Sequence, residues 1–245
     1  MDSISLSEYI WSVDGVQFAL ELWPDVFRPT STSELIAQTL TIRPGEVVID
    51  VGCGSGFFSV LAAKCGASKV YALDIMPQAV ALTKRNAERN GVGSRIEALT
   101  GSLFESIPKV KADLIIDDVS EVAEEIARAT PWYPPSIPSG GPDGAALTVD
   151  MLRDAPSHLM PRGRLIFPIL SLANEQRILE AAQRWFTDLH MRAQRLFPIP
   201  KSLSEALGRL TGRLSSGTFR LIPRGSRQCW ELRIFEARLV HDIPA

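Results

Sequence analysis

The 245-residue chain has no apolar run of membrane-spanning length, no internal repeat and no low-complexity tract. Its N-terminus carries Asp2 and Glu8 rather than a basic segment ahead of an apolar stretch, so the sequence predicts a soluble, cytoplasmic protein with no membrane partner. Cysteine is scarce: Cys53, Cys65 and Cys229 are odd in number and lack metal-ligand spacing, which points to reduced thiols rather than a disulfide framework. Histidine is scarce too. His158 falls near a helix end, His190 and His241 have no metal-site spacing, and no metal is expected. Charge of one sign is also missing, since 26 Lys and Arg face 28 Asp and Glu for a net charge of −2, leaving no overall pull toward nucleic acid. What remains is ordinary globular composition, 45% hydrophobic and 22% charged, on a chain long enough to bury a sizeable core.

Strand and helix patterns alternate along it, which is how a parallel sheet with helices on both faces is written. Strands are predicted near 46–51, 68–74, 94–99, 112–117 and 163–170, and helices near 57–65, 77–90, 144–158 and 173–187. Pro77 suits a first helical turn and Asn90-Gly91 a helix stop. Beyond 188, His190–Phe197 and Trp230–Ala237 partly alternate, as a closing pair of strands would. Lys201, Arg209, Arg213, Arg220, Arg224 and Arg227 lie between them with only Phe219 to stack on a base, so solvated surface is expected there rather than an RNA site.

The most informative stretch is Val47-Val48-Ile49-Asp50-Val51-Gly52-Cys53-Gly54-Ser55-Gly56-Phe57-Phe58, where an apolar strand feeds into three alternate glycines and then a helix. Glycine lets the main chain turn sharply and approach a ligand, and the first N–H groups of the helix are left for that ligand. The spacing is G-x-G-x-G, whereas the dinucleotide fingerprint is G-x-G-x-x-G, so NAD is not expected. Cys53 needs only to be small there. A second unit, Ala67–Ile75, ends in Asp74, roughly 20 residues beyond the glycines, where a carboxylate accepts hydrogen bonds from a ribose diol.

Asp50–Gly56 resembles motif I of class I S-adenosylmethionine (SAM)-dependent methyltransferases. The resemblance extends to the protein N5-glutamine methyltransferases and related small-domain methyltransferases. Gly15–Leu22 followed by Pro24–Pro29 looks like a small hairpin, and Pro29, Glu34 and Leu35 match the family's opening motif, with Ser33 where a threonine is usual. Gly140–Leu147, leading to Leu159–Leu165, is a second match. The resemblance implies a Rossmann-like α/β fold with a seven-stranded, mostly parallel sheet and an antiparallel closing strand. It implies an N-terminal extension over 1–40 forming part of the active-site cover, and a methyltransferase domain over 41–245 with insertions near 119–143 and 199–228. SAM is the expected cofactor, with S-adenosylhomocysteine as its product. The cofactor contacts are expected from Asp50, Gly52, Cys53, Gly54, Ser55, Gly56, Phe57, Asp74, Ile75, Ser102, Leu103 and Asp117.

The family's catalytic Asn-Pro-Pro-Tyr is absent: Leu114-Ile115-Ile116 runs into Asp117-Asp118-Val119-Ser120-Glu121, with Asp118 at the asparagine position. An ionised carboxylate only accepts hydrogen bonds, so the site favours an acceptor that presents an N–H or O–H. Asp118, with Asp117 as an alternative, is the expected catalytic group, orienting the nucleophile and taking its proton. The competing expectation is that one of these acids caps a helix over 119–125. Phe27, Pro29, Thr30, Trp132 and Tyr133 are expected to contact the acceptor, although the proline-rich run 129–143 equally allows Trp132 and Tyr133 simply to pack that loop. The function expected is methyl transfer to a hydroxyl or amine of a small molecule. Alternatives are a glutamine-type protein N-methyltransferase, an RNA methyltransferase ranking below it, and a catalytically silent SAM-binding or partner-binding module.

Overall fold

The computed structural model describes residues 7–130, 133–210 and 218–239. It divides into two compact units, Met1–Asp118 with His158–Gly163, and Val119–Ser157 with Arg164–Ala245.

The first unit opens with an antiparallel hairpin, β1 (Ser7–Val13) and β2 (Val16–Leu22), turning at Asp14 and Gly15 with φ of 46° and 81°. Two successive positive φ values suit a right-twisted hairpin, and Asp-Gly supplies them at low cost. The sequence reading placed the hairpin between 15–22 and 24–29; the strand 16–22 pairs instead with the residues ahead of it, because the Asp-Gly turn sets the register. Helix α1 (Ser31–Thr39) follows, with Thr30 as its cap: Thr30 Oγ1 accepts the Thr32 N–H (3.2 Å) and Ser33 Oγ accepts the Thr30 N–H (3.1 Å).

Next come β3 (Val47–Val51), α2 (Phe57–Lys64), β4 (Lys69–Asp74), α3 (Pro77–Arg89), β5 (Ile96–Thr100) and β6 (Ala112–Asp117). The strands are parallel in the order β5-β4-β3-β6. Leu114, Ile115 and Ile116 are all fully buried, the mark of a strand covered on both faces. The strand and helix positions match the sequence reading to within about two residues, as expected where apolar periodicity is strong.

Asn86 of α3 and Asn90, which caps its C-terminus, fasten the hairpin. Asn86 accepts the Glu21 N–H at 2.9 Å and donates to Glu21 O at 3.0 Å; Asn90 does the same for Ala19 at 3.1 and 2.7 Å. Each amide thus stands in for a neighbouring strand along β2. Trp11 and Phe18 pack on Phe57, with ring centroids at 5.0 and 5.4 Å.

The second unit holds α4 (Glu124–Ala129), α5 (Ala146–Asp154), most of β7 (Leu159–Leu170), α6 (Glu175–Trp185), β8 (Asp188–Pro198), α7 (Lys201–Leu210), β9 (Ile222–Arg224) and β10 (Arg227–Arg238). Here β10 is central and pairs antiparallel with β7, β8 and β9. Besides the hairpin, the described residues form eight strands, one more than the seven expected. The extra one is β9, three residues long, folded back on β10 by a turn at Gly225 (φ 59°). The helix expected over 144–158 ends at Asp154, and a 3-10 turn over Ala155–His158 carries Pro156.

The glycines of the 140–144 segment are there for close packing. A Cβ on Gly140 would stand 2.4 Å from Gly144 O and 2.7 Å from Ser120 O. Asp143 pairs with Arg177 at 2.8 Å; burial alone pushes its pKa up, but the bonds from Arg177, Ala145 and Asn174 outweigh that and hold it below the usual value. The basic segment is partly neutralised internally: Arg220 pairs with Glu175 and Glu231, and Lys201 with Glu205, while Arg213 lies outside the described residues.

Candidate active site

The site residues of the first unit gather at the carboxyl ends of its parallel strands, where open α/β sheets bind ligands. Leaving β3, Gly52 and Cys53 both donate their N–H to Leu73 O (2.8 and 2.9 Å), so the chain turns back over the end of β4. Gly52, Gly54 and Gly56 have φ of 78°, 52° and 83°, values that L side chains rarely adopt. A Cβ on Gly56 would meet Thr83 at 3.1 Å, and one on Gly54 would lie 3.4 Å from Phe27 O. Gly56 caps α2, and Phe57 is the first helical residue, buried among Trp11, Phe18 and Phe58. Cys53 is buried and bonded by Thr83 Oγ1 at 3.3 Å; burial and the charges of Asp50 and Asp74 push its thiol well above the usual range, which makes it an inert packing group.

Four carboxylates surround this loop. Asp50, fully buried on β3, accepts from Ser59 Oγ at 2.5 Å through Oδ2, while its Oδ1 is buried without a hydrogen-bond partner among the described residues. Burial, with Asp118 and Asp74 adding repulsion, raises its pKa to about 7. Asp74, at the end of β4, accepts the N–H of Gly54 and of Met76, each at 2.9 Å. Burial nonetheless raises its pKa. Asp117, at the end of β6, is fully buried. Asp118, one residue beyond, is half-buried; its N–H donates to Val51 O and its Oδ2 accepts from Ser33 Oγ at 2.6 Å. Burial raises the Asp118 pKa to about 6. Among the described residues no cationic side chain figures among the electrostatic partners of Asp50, Asp74 or Asp118. Such groups stay acidic only where a cation or hydrogen-bond donor offsets their desolvation.

The remaining sequence-predicted residues fall as follows. Ile75, beside Asp74, is 55% exposed despite its size. Ser102 and Leu103 follow β5, and Leu103 holds φ at 48°, an unusual strain for a non-glycine residue. Phe27 and Pro29 are half-buried ahead of Thr30, the cap of α1. In the second unit, Tyr133 is 5% exposed and donates to Pro138 O at 2.6 Å while also bonding Ser120, so it ties its own loop together. Trp132 lies outside the described residues. Neither Asp117 nor Asp118 caps the following helix, because α4 starts at Glu124 with Ala123 as its cap. His158 stacks on Phe104 with centroids 4.4 Å apart and bonds Val110 O at 2.9 Å, a packing role. Among the described residues no group of three His, Cys, Asp or Glu side chains could hold a metal ion, and no helix is long and apolar enough to cross a membrane.

One contributor was invisible to motif reading: Asn86, which donates to Ser55 O at 2.8 Å. Ser33, named only as the residue standing where a threonine is usual, reaches Asp118, and Ser55, an expected cofactor contact, has its Oγ buried with no hydrogen-bond partner among the described residues.

The parallel strands, the glycine turn at the end of β3 and the acid at the end of β4 define a Rossmann-like α/β fold. Residues 29–133 match the family of ribosomal protein L11 methyltransferase (PrmA). The chain is 40% identical over 100 residues to a ribosomal protein L11 methyltransferase of Pelotomaculum thermopropionicum, covering 41% of this chain and 32% of that one. It is 33% identical over 151 residues to a release factor glutamine methyltransferase of Cereibacter sphaeroides, covering 59% and 54%. A solved structure of ribosomal protein L11 methylase from Lactobacillus delbrueckii subsp. bulgaricus superposes with a TM-score of 0.56 at 21% identity, over 89% of this chain and 84% of that one, which is a likeness of fold. The chain spans about a third to a half of the length of the curated relatives it matches.

Proposed function

We propose that this protein is a SAM-dependent N-methyltransferase acting on a protein substrate. The observation that carries the cofactor is the set of carboxylates Asp50, Asp74 and Asp118 around a glycine turn, with no cationic side chain among their partners in the described residues. SAM is itself cationic at sulfur and nitrogen, and it offers a ribose diol, so it supplies the charge this site lacks. NAD, with its pyrophosphate, would add negative charge to it. Within this reading Asp74 receives the ribose, the loop Gly52–Gly56 lies against the amino-acid portion, and Asp50 Oδ1 takes an N–H. Ile75 and Leu103 border the base. SAM supplies an activated methyl group; the chain's own task is to hold the acceptor, exclude water and take its proton.

Support for a protein acceptor comes from the relatives: those quoted above are named for protein substrates, whereas sequence reading alone favoured a small molecule. Support for nitrogen comes from Asp118. A carboxylate with a pKa of about 6, held by Ser33, attracts an ammonium and accepts its proton, which releases the lone pair for attack. The missing Asn-Pro-Pro-Tyr argues for an amine rather than a glutamine amide.

Two measurements test this. Calorimetric titration should give micromolar binding of S-adenosylhomocysteine and none of NAD; the reverse order defeats the cofactor reading. Incubating the protein with methyl-labelled SAM and an extract of the source cells should place label in the acid-insoluble protein fraction in acid-stable, amine-linked form. Label confined to the acid-soluble fraction returns the small-molecule acceptor.

A further inference from the structure

The hydroxyl of Ser33 lies between two groups of fixed direction. It accepts the Thr30 N–H at 3.1 Å, and it is 2.6 Å from Asp118 Oδ2. Ser33 is 2% exposed, so water does not compete for this contact. A serine hydroxyl has one proton to give. With Thr30 as donor, that proton is available to Asp118. A neutral carboxyl could still accept it through its carbonyl oxygen, but an ionised carboxylate accepts it more strongly, so the bond favours the charged form of Asp118. The first turn of the nine-residue α1, whose unpaired N–H groups favour a nearby anion, works in the same direction.

Against this stands burial, which disfavours the charged form, with Asp118 and the buried Asp50 repelling one another; among the described residues no arginine, lysine or histidine forms an ion pair with Asp118. Among the described residues the Ser33 bond is the one side-chain hydrogen bond that favours the ionised form.

We propose that Ser33 is a positioning residue of the transfer reaction, fixing the rotamer of Asp118 through Oδ2 and leaving Oδ1 as the atom that accepts from the substrate nitrogen. The inference rests on the reading of Asp118 as the base. It assigns a chemical purpose to the capping box of α1: the helix start is built so that its third residue, rather than bonding only its own cap, hands a proton donor to the end of β6. It also explains how a carboxylate can serve where the resembling family carries an asparagine. An asparagine brings its own donor and is neutral, whereas a carboxylate set among acids needs one supplied.

The test is the titration of the Asp118 side chain itself, followed by carboxyl-carbon NMR on aspartate-labelled protein bound to S-adenosylhomocysteine, with Asp118→Asn to assign the signal. Ser33→Ala should move the midpoint up by about one pH unit, the size expected when one hydrogen bond to an ionised carboxylate is lost. Ser33→Thr should restore it. Thr30→Ala removes the cap's own side-chain bond but keeps the Thr30 N–H, so it should leave the midpoint in place and separates helix fraying from loss of the donor. The acid limb of the pH profile of kcat should move with the midpoint in Ser33→Ala while KM for SAM holds steady. An unmoved midpoint in Ser33→Ala overturns the proposal, as does an equal shift in Thr30→Ala. If the midpoint moves as expected but Asp118→Asn turns over normally, Ser33 does govern the ionisation of Asp118 and it is the reading of Asp118 as base that fails.

Discussion

Asp118 and Asp74 respond to different substitutions because they use their oxygens differently. Asn at 118 keeps the shape and an acceptor for Ser33 while removing charge and basicity. Since Asp118 is not the cap of α4, little stability should be lost. Asp118→Asn is therefore expected to fold and to bind S-adenosylhomocysteine normally, yet to lose about 10² to 10⁴ in turnover. Stopped assays of methyl incorporation check this, and near-normal turnover would remove Asp118 as the base. Asp74→Ala should weaken S-adenosylhomocysteine binding by about 1.5 to 3 kcal/mol, the range for hydrogen bonds to a charged group. Part of that loss comes through the loop, since Gly54 and Met76 N–H both lose their acceptor. An unchanged dissociation constant takes Asp74 out of the site.

At the scale of elements, the hairpin and the glycine loop are joined through one side chain. Asn86 holds both backbone groups of Glu21 and the carbonyl of Ser55, all in buried bonds. Asn86→Ala leaves those groups unsatisfied and should cost about 2 kcal/mol or more in urea unfolding. It should also weaken S-adenosylhomocysteine binding, because Ser55 belongs to the glycine turn; a stability loss with intact affinity would show that the link serves the hairpin alone. Elements were the most legible level of this chain. Strands β3 to β6 and helices α2 and α3 were readable because each carries its own periodicity, stop signals and turn residues within a dozen positions. The pairing of β2 was misread, since a hairpin's partner depends on which turn closes it. β9 was not foreseen, because three residues carry no periodic signal.

For the whole molecule, the buried acids set a pH dependence. Asp50 and Asp118 have folded pKa values of about 7 and about 6 against a model-peptide value of 3.8. A carboxylate raised in this way binds more protons folded than unfolded, so its contribution to stability is fully present below 3.8 and is lost as pH rises through 6 to 7. The ligand-free wild type should therefore lose melting temperature between pH 5 and 8 relative to Asp50→Asn, as read by calorimetry across that range. A parallel pair of curves would show that Asp50 is ionised at no cost. Binding cationic SAM reverses the balance by favouring the ionised forms. At about pH 6.5 it should release protons, measurable as a buffer-dependent heat, and S-adenosylhomocysteine, which lacks the sulfonium charge, should release fewer.

The sequence by itself determined the parallel βαβ order of the first unit, the glycine turn at the end of β3, the acid at the end of β4 and the acid pair Asp117-Asp118 at the end of β6. All of these are written in contiguous residues, where spacing and residue type report directly on turn geometry and strand burial. Tertiary structure decided what the carboxylates can do. Ser33 and Asp118 are 85 positions apart, and Asn86 and Ser55 are 31 apart. Such bonds follow from how α1, β3, β6 and α3 close around one another, not from any local pattern. Desolvation is equally non-local: Asp50 is acidic or nearly neutral according to what buries it, and its neighbours along the chain, Ile49 and Val51, would be the same in either case.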